Sequence, residues 1–434
     1  MRRAHSLIGL PAVDISRLLS PLRGALGPRM LPVFLMFFFW GFGTGGLWLA
    51  RPLVAYEVGG SFLLVALVSA ASAAPRVIAG PAAGYLTDRF GRRPFIVLGA
   101  VLHIVALIGQ FSSESYLAFI LLEGVGGTGI AVWMTSSSAL LADATEVETR
   151  GRVVALRSTA SRSGMLAGPV VGGIVASVLT LRHVFLFIAL TKLVVIVVTL
   201  LLIRETRRRR EPSEPRAGLP RWRVPRVDLS MYRTRAFLAL SIGAMTVGGV
   251  LGGTGAFRTL FPVQAAAGAG LGEAGIGNLI AIAGLMALVA SLPAGIAADR
   301  IGRKRPLIAG LVGTALGVWL MAGMSDFSTA LLAVVVFGTA EAFATGTIMV
   351  YAMDLAPEDR RGAFLGAWQL SMNAGQMAGP LAVGAIADAR GFAVAFVSVA
   401  AALVAGAVMI VIFGTETRRA RRYNGAATPS GDGP

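Results

Sequence analysis

Cysteine is absent from all 434 residues. That excludes disulfides and thiolate metal sites, and it leaves the compartment open. Histidine is almost as rare: His5, His103 and His183 stand in separate segments. With no nucleophile–base or ligand constellation around them, an enzyme is not expected, and neither a metal nor an organic cofactor is implied. A phosphate-cradling G-x-x-x-x-G-K-[ST] loop is also missing, which argues against direct drive by ATP. Charge is scarce, at 14% of residues against about 25% in soluble domains. The opening Met1-Arg2-Arg3 is not followed by a short apolar run with a small-residue cleavage site, so it does not read as a signal peptide.

What is present is apolar sequence, 55% of the chain. Apolar segments run over 31–54, 62–86, 94–111, 116–141, 153–178 and 184–203, then 236–262, 275–298, 306–324, 328–352, 362–386 and 392–413. Each is close to the ~20 residues that a helix needs to cross a bilayer. The pattern predicts an all-α membrane protein of twelve transmembrane helices in two pseudo-symmetric six-helix bundles. The expected organisation is a cytoplasmic segment 1–30, bundles over 31–206 and 236–417, a linker 207–235 and a tail 418–434. The linker carries Arg207-Arg208-Arg209-Arg210 and no long apolar run, and it suits an anionic lipid surface.

The net charge of +17 is distributed by side. Of 39 Lys and Arg, 31 fall in the termini, the linker and alternate loops, while the opposite loops hold only Arg182 and Arg390. This positive-inside asymmetry predicts a multi-pass protein of the cell membrane with both termini cytoplasmic. The basic charge is therefore read as topology, with no nucleic-acid partner.

The two halves repeat one another. Gly84-Tyr85-Leu86-Thr87-Asp88-Arg89-Phe90-Gly91-Arg92-Arg93-Pro94 returns as Gly295-Ile296-Ala297-Ala298-Asp299-Arg300-Ile301-Gly302-Arg303-Lys304-Arg305-Pro306, with the aspartates 211 residues apart. At the same offset Asp143 meets Asp354, Arg150-Gly151 meets Arg361-Gly362, Gly168-Pro169 meets Gly379-Pro380, Phe185 meets Phe396, and Glu205-Thr206 meets Glu416-Thr417. Such a duplication is expected from parallel repeats about an axis along the membrane normal.

With G-x-x-x-D-R-x-G-R present twice, the chain resembles the major facilitator superfamily of transporters from about residue 31 to 417. Gly164, Gly168, Pro169, Gly172 and Gly173 on the fifth segment are similar to the G-x-x-x-G-P-x-x-G-G element of its proton-coupled drug antiporters, with an echo at Gly375, Gly379, Pro380 and Gly384. These residues are also a packing surface, since glycine lets another backbone approach and proline bends a helix. The resemblance implies that Gly84, Asp88, Arg89, Gly91 and Arg92 gate the cytoplasmic side. Arg92 would pair with Asp143, and Gly295, Asp299, Arg300, Gly302, Arg303 and Asp354 would repeat the arrangement. Where the antiporters carry arginine in R-x-x-x-G-x-G on the fourth segment, this chain has Glu123 before Gly127 and Gly129. The arginine's role in proton transfer therefore does not carry over.

Charges inside the bilayer are costly and mark a polar pathway. Counting from the inner face at 1.5 Å per residue, Glu341 lies about 20 Å deep, Arg76 about 18 Å and Arg162 about 15 Å. Gln369, Asn373 and Gln376 add neutral groups on the eleventh segment. Arg51, Glu123 and Arg258 form an outer cluster at roughly 30 Å, where Glu123 is expected to bridge towards Arg258 as an outer gate. Glu341 is the candidate proton carrier, with a structural partnership to Arg76 or Arg162 as the other reading. Arg157 is set aside as lying near the inner face and His103 as a structural donor, and Lys192 is expected to snorkel.

The leading expectation is a monomeric secondary transporter working by alternating access. It would exchange protons for small amphipathic compounds past apolar helices bearing Phe42, Trp48, Trp133 and Trp368. An organic or inorganic anion is the alternative substrate, because Arg51, Arg76, Arg157, Arg162, Lys192 and Arg258 outnumber Glu123 and Glu341. A non-transporting sensor or scaffold is the alternative from a different class.

Overall fold

A computed structural model describes residues 30–145, 150–205, 234–252, 255–357 and 360–416. Apart from short caps, the N-terminal segment, the linker and the tail lie outside these residues. All regular structure among the described residues is helical. The first half supplies α1 (Leu31–Gly59), α2 (Phe62–Phe90), α3 (Arg92–Ser112), α4 (Tyr116–Asp143), α5 (Arg150–Val178) and α6 (His183–Leu202). The second supplies α7 (Arg235–Leu251), α8 (Ala256–Ala267), α9 (Glu273–Ile301), α10 (Lys304–Ala322), α11 (Phe327–Leu355), α12 (Arg361–Arg390) and α13 (Phe392–Phe413).

The segment expected as one helix over 236–262 is thus two, α7 and α8. Gly252 and Gly255 stand at the break, where the Gly252 N–H closes α7 on Gly248 O and the Gly255 N–H bonds Gly252 O at 2.8 Å. Glycine costs about 1 kcal/mol relative to alanine inside a helix, so a glycine-rich stretch is where a long span gives way. Ten spans are long and apolar enough to cross a membrane, with α7 and α8 counted together. Helices α5 and α12 are as long, at 29 and 30 residues, but more polar.

Connections between consecutive helices are short because glycine turns them. Gly60 ends α1 at φ +69, and Ser61 caps α2 by accepting the Leu64 N–H. Gly91 (φ +110), Gly302 (φ +95) and Gly391 (φ +83) make one- or two-residue turns between successive helices. By contact the chain forms two compact units. One holds residues 1–221, 258–282 and 325–327, and the other holds 222–257, 283–324 and 328–434.

In the first unit α1 crosses α5 with backbones nearly touching. A Cβ on Gly164 would stand 2.2 Å from Phe38 O, and one on Gly168 would stand 2.1 Å from Phe42 O. The second unit repeats the crossing with α12 on α7: Gly375 would meet Met245 O at 2.0 Å and Gly379 would meet Gly249 Cα at 2.6 Å. Around the first crossing Phe34, Phe37, Trp40, Ile96, Trp133 and Val195 form an apolar core. There the Trp40 and Trp133 rings stack at 3.7 Å.

Candidate functional site

The duplicated turn builds the same constellation in both units. Arg92 opens α3 and donates to Asp88 and, through Nε at 2.9 Å, to Asp143 Oδ2. Arg303 donates to Asp299 at 2.6 Å and Asp354 at 3.3 Å. Burial opposes the charge on Arg303, yet the hydrogen bonds to Asp299 and Asp354 raise its pKa above the ordinary value. Asp88 and Asp299 keep 71% and 73% of their side chains exposed. Arg89 and Arg300 are exposed beside them. Gly91 and Gly302 hold the turns, whereas a Cβ at Gly84 would meet only Thr135 Cγ2 at 3.7 Å and one at Gly295 nothing.

The carboxylate that caps a neighbouring helix is one to which sequence reasoning assigned no role. Glu205, just past α6, accepts the Arg92 and Arg93 backbone N–H groups at 2.9 and 3.0 Å. Glu416, just past α13, accepts those of Arg303 at 2.8 Å and Lys304 at 3.4 Å. Both use the exposed donors and positive dipole end of a helix N-terminus. The contact is returned. The Arg93 guanidinium donates to the carbonyls of Thr199 and Leu200, and Lys304 Nζ donates to those of Val411 and Gly414. The signal was the Glu-Thr pair recurring at the same offset of 211 residues.

The outer cluster assembles differently from the expectation. Arg51 Nη1 donates to Glu123 Oε1 at 2.8 Å, and Gln110 Nε2 donates to Glu123 Oε2 at 2.8 Å. All three side chains are buried. Arg258 instead lies over the Trp48 ring, 4.4 Å from its centroid. Gln110 meets Glu123 where α3 packs along α4, and Arg51 reaches the same carboxylate from α1 within one compact unit. Gln110, deep at the end of an apolar segment, was missed.

Around Arg258 the first unit gathers further contacts. Thr259 and Ser69 share a hydrogen bond at 3.0 Å. Gly277 of α9 backs onto Pro169 O, and Gly173 onto Glu273 O and Ala274 Cα, too closely to admit a Cβ. Gly172 is looser, 3.5 Å from Gly46 Cα. The drug-antiporter element on α5 therefore has two faces, one against α1 and one against the start of α9.

Among the deeper residues, Glu341 is buried on α11. Asn373 accepts from Gln369 at 3.0 Å on an exposed face of α12. Arg162 is exposed on α5 beside Ser158, Thr159 and Ser163. Arg76 Nη2 donates to Ser72 Oγ at 2.7 Å.

Several side chains fall elsewhere than expected. Lys192 does not snorkel: it is fully buried, donating to Trp40 O at 2.8 Å and facing the Trp40 ring at 4.1 Å. Gly43 makes room for its ammonium, since a Cβ there would stand 2.8 Å from Nζ. His103 is not a donor to the described residues, as its buried Nδ1 has no partner and its ring packs on Trp40. Trp133 and Trp368 are buried in the packed interior. Their size is best buried where neighbouring helices meet. Among the described residues no group of three or more His, Cys, Asp or Glu could hold a metal.

Comparison with known proteins gives this geometry a family. The description Major Facilitator Superfamily matches residues 33–275 and again 249–431. Multidrug resistance protein MdtG of Citrobacter koseri is 29% identical over 81% of this chain and 84% of its own length. The class C tetracycline resistance protein of Escherichia coli is 29% identical over 56% of this chain, and the match spans 60% of that protein. Multidrug resistance protein 1 of Bacillus subtilis is 29% identical, with 44% of its length spanned. Among solved structures, nucleoside transporter NupG superposes with a TM-score of 0.74 at 14% identity, covering 89% of this chain and all of that one. A D-xylose–proton symporter gives 0.68 at 18% identity, over 90% of this chain and 98% of that one. These likenesses establish a shared fold. The chain belongs to the Major Facilitator Superfamily, and is therefore a multi-pass membrane transporter of small molecules and not an enzyme.

Proposed function

We propose that the protein exports small amphipathic compounds in exchange for protons, as a monomer in the cell membrane with both termini in the cytoplasm. The likeness to multidrug and tetracycline resistance proteins supports export. The doubled packing of the α5 glycine element supports it too. Two six-helix bundles, 31–206 and 236–417, expose a central pathway alternately to each side. The exposed carboxylates of Asp88 and Asp299 are available to bond another helix end when the cytoplasmic side closes. Arg258 and the Gly173–Gly277 contact serve the outer side.

The observation that carries proton coupling is a carboxylate buried mid-span at Glu341. Such a group is expensive in lipid unless it works. The proton is assigned to Glu341 on that burial and on its place near the middle of α11. In reconstituted vesicles an imposed pH gradient is expected to drive dye movement by the wild type. Glu341→Gln is expected to abolish that movement while still binding the dye. Gradient-driven movement at the wild-type rate in Glu341→Gln would remove the carrier role.

A further inference from the structure

Among the described residues Arg76 is an interior cation with no carboxylate in an ion pair with it. It sits within the span α2, twelve residues before Asp88. Among the described residues its one hydrogen-bond partner is the Ser72 hydroxyl, and its Nε is buried with none. Arginine cannot shed its proton to escape this, and all five of its N–H groups are donors. An unpaired polar group away from water is costly, and a charged one more so.

The surroundings do not compensate it. Arg51 and Glu123 are among the charges that act on it. Glu123 is already held by Arg51 and Gln110, so Arg51, Glu123 and Arg76 together carry one net positive charge. The imbalance extends through α1–α6. There Glu123 is the one carboxylate interior to the spans, against Arg51, Arg76, Arg157, Arg162 and Lys192. Lys192 has the Trp40 carbonyl and ring, and Arg157 lies over the Phe37 ring at 4.5 Å. Arg76 has a hydroxyl and an empty donor. Its side chain as a whole is only partly buried.

We propose that Arg76 binds an anionic group of the transported compound, so that the cargo is an amphipathic anion bearing a carboxylate, sulfonate or phosphate. The planar guanidinium matches the oxygens of such groups two at a time. The proposal rests on the export reading for the apolar part of the cargo and adds its charge.

The test titrates purified protein in lipid nanodiscs with two xanthene dyes of similar size. Carboxyfluorescein is the anion and tetramethylrhodamine methyl ester the cation, and anisotropy reads binding. Saturable binding of carboxyfluorescein is expected. Arg76→Gln should weaken it about tenfold or more, the loss of one charge-assisted hydrogen bond. Arg76→Lys should weaken it less, and the cationic dye should be indifferent to both changes. Should Arg76→Gln not yield a monodisperse protein, Ser72→Ala removes the hydroxyl that orients the guanidinium and should weaken the anion alone. Failure of the wild type to saturate with carboxyfluorescein, equal binding by the variants, or preference for the cation overturns the assignment. Saturable anion binding without gradient-driven movement in vesicles would sink the export reading and leave the anion site intact.

Discussion

At the scale of single residues, the duplicated motif contains two kinds of glycine. Gly91 has φ +110, and a Cβ there would stand 2.7 Å from Glu205 Oε2. It is needed both for its backbone and for the room it leaves the capping carboxylate. Gly84 has neither demand in this conformation. Gly91→Ala is therefore expected to lose on the order of 1–3 kcal/mol of stability, and Gly84→Ala roughly 0.5 kcal/mol or less. Melting of the two purified variants in one detergent checks this, and equal melting points would show that the turn is not the reason for Gly91. Gly302 and Gly295 should divide in the same way. None of this distinction is visible in the letters, where both pairs, Gly84 with Gly295 and Gly91 with Gly302, simply recur at one offset. Lys192 teaches the same lesson. A lone lysine in an apolar segment reads as able to reach water, and only the neighbours Trp40 and Gly43 show that it does not.

At the scale of helices, the recurring unit is a reciprocal clamp. The end of α6 caps the start of α3 through Glu205, and the start of α3 answers the last carbonyls of α6 through Arg93. Helices α13 and α10 do the same through Glu416 and Lys304. Carboxylate on an N-terminus and cation on a C-terminus are both favourable to the helix dipole. Glu205→Ala is expected to cost about 1–2 kcal/mol, the usual loss for a helix cap. Glu205→Gln should keep part of this, because an amide oxygen still accepts. Thermal or denaturant unfolding of the three proteins decides the point, and a fully stable Glu205→Ala would dismiss the clamp. The pairing of Arg92 with Asp143 was expected only from the family resemblance, and the clamp was legible only as a repeated Glu-Thr without a role.

At the scale of the molecule, the lack of cysteine makes topology directly measurable. A single thiol placed by Ala217→Cys in the linker or Ala426→Cys in the tail is expected to react with an impermeant maleimide only from the cytoplasmic side. Leu179→Cys, on the exposed turn after α5, should react only from outside. Labelling of Ala217→Cys from outside would invert the whole assignment.

Composition and periodicity alone determined the lipid environment, the twelve apolar segments and the duplication of the glycine–aspartate–arginine turn. Each of these is either a sum over a local window or a string repeated at one offset, and the bilayer converts hydropathy into helices almost without reference to neighbours. Tertiary packing decided the rest. It broke the seventh segment at its glycines, sent Glu123 to Arg51 and Gln110, buried Lys192 against Trp40, and withdrew Trp133 into the core. It also left Arg76 with a donor unmatched. Partners of this kind come from helices tens of residues away, and nothing in a linear spacing says which faces will meet.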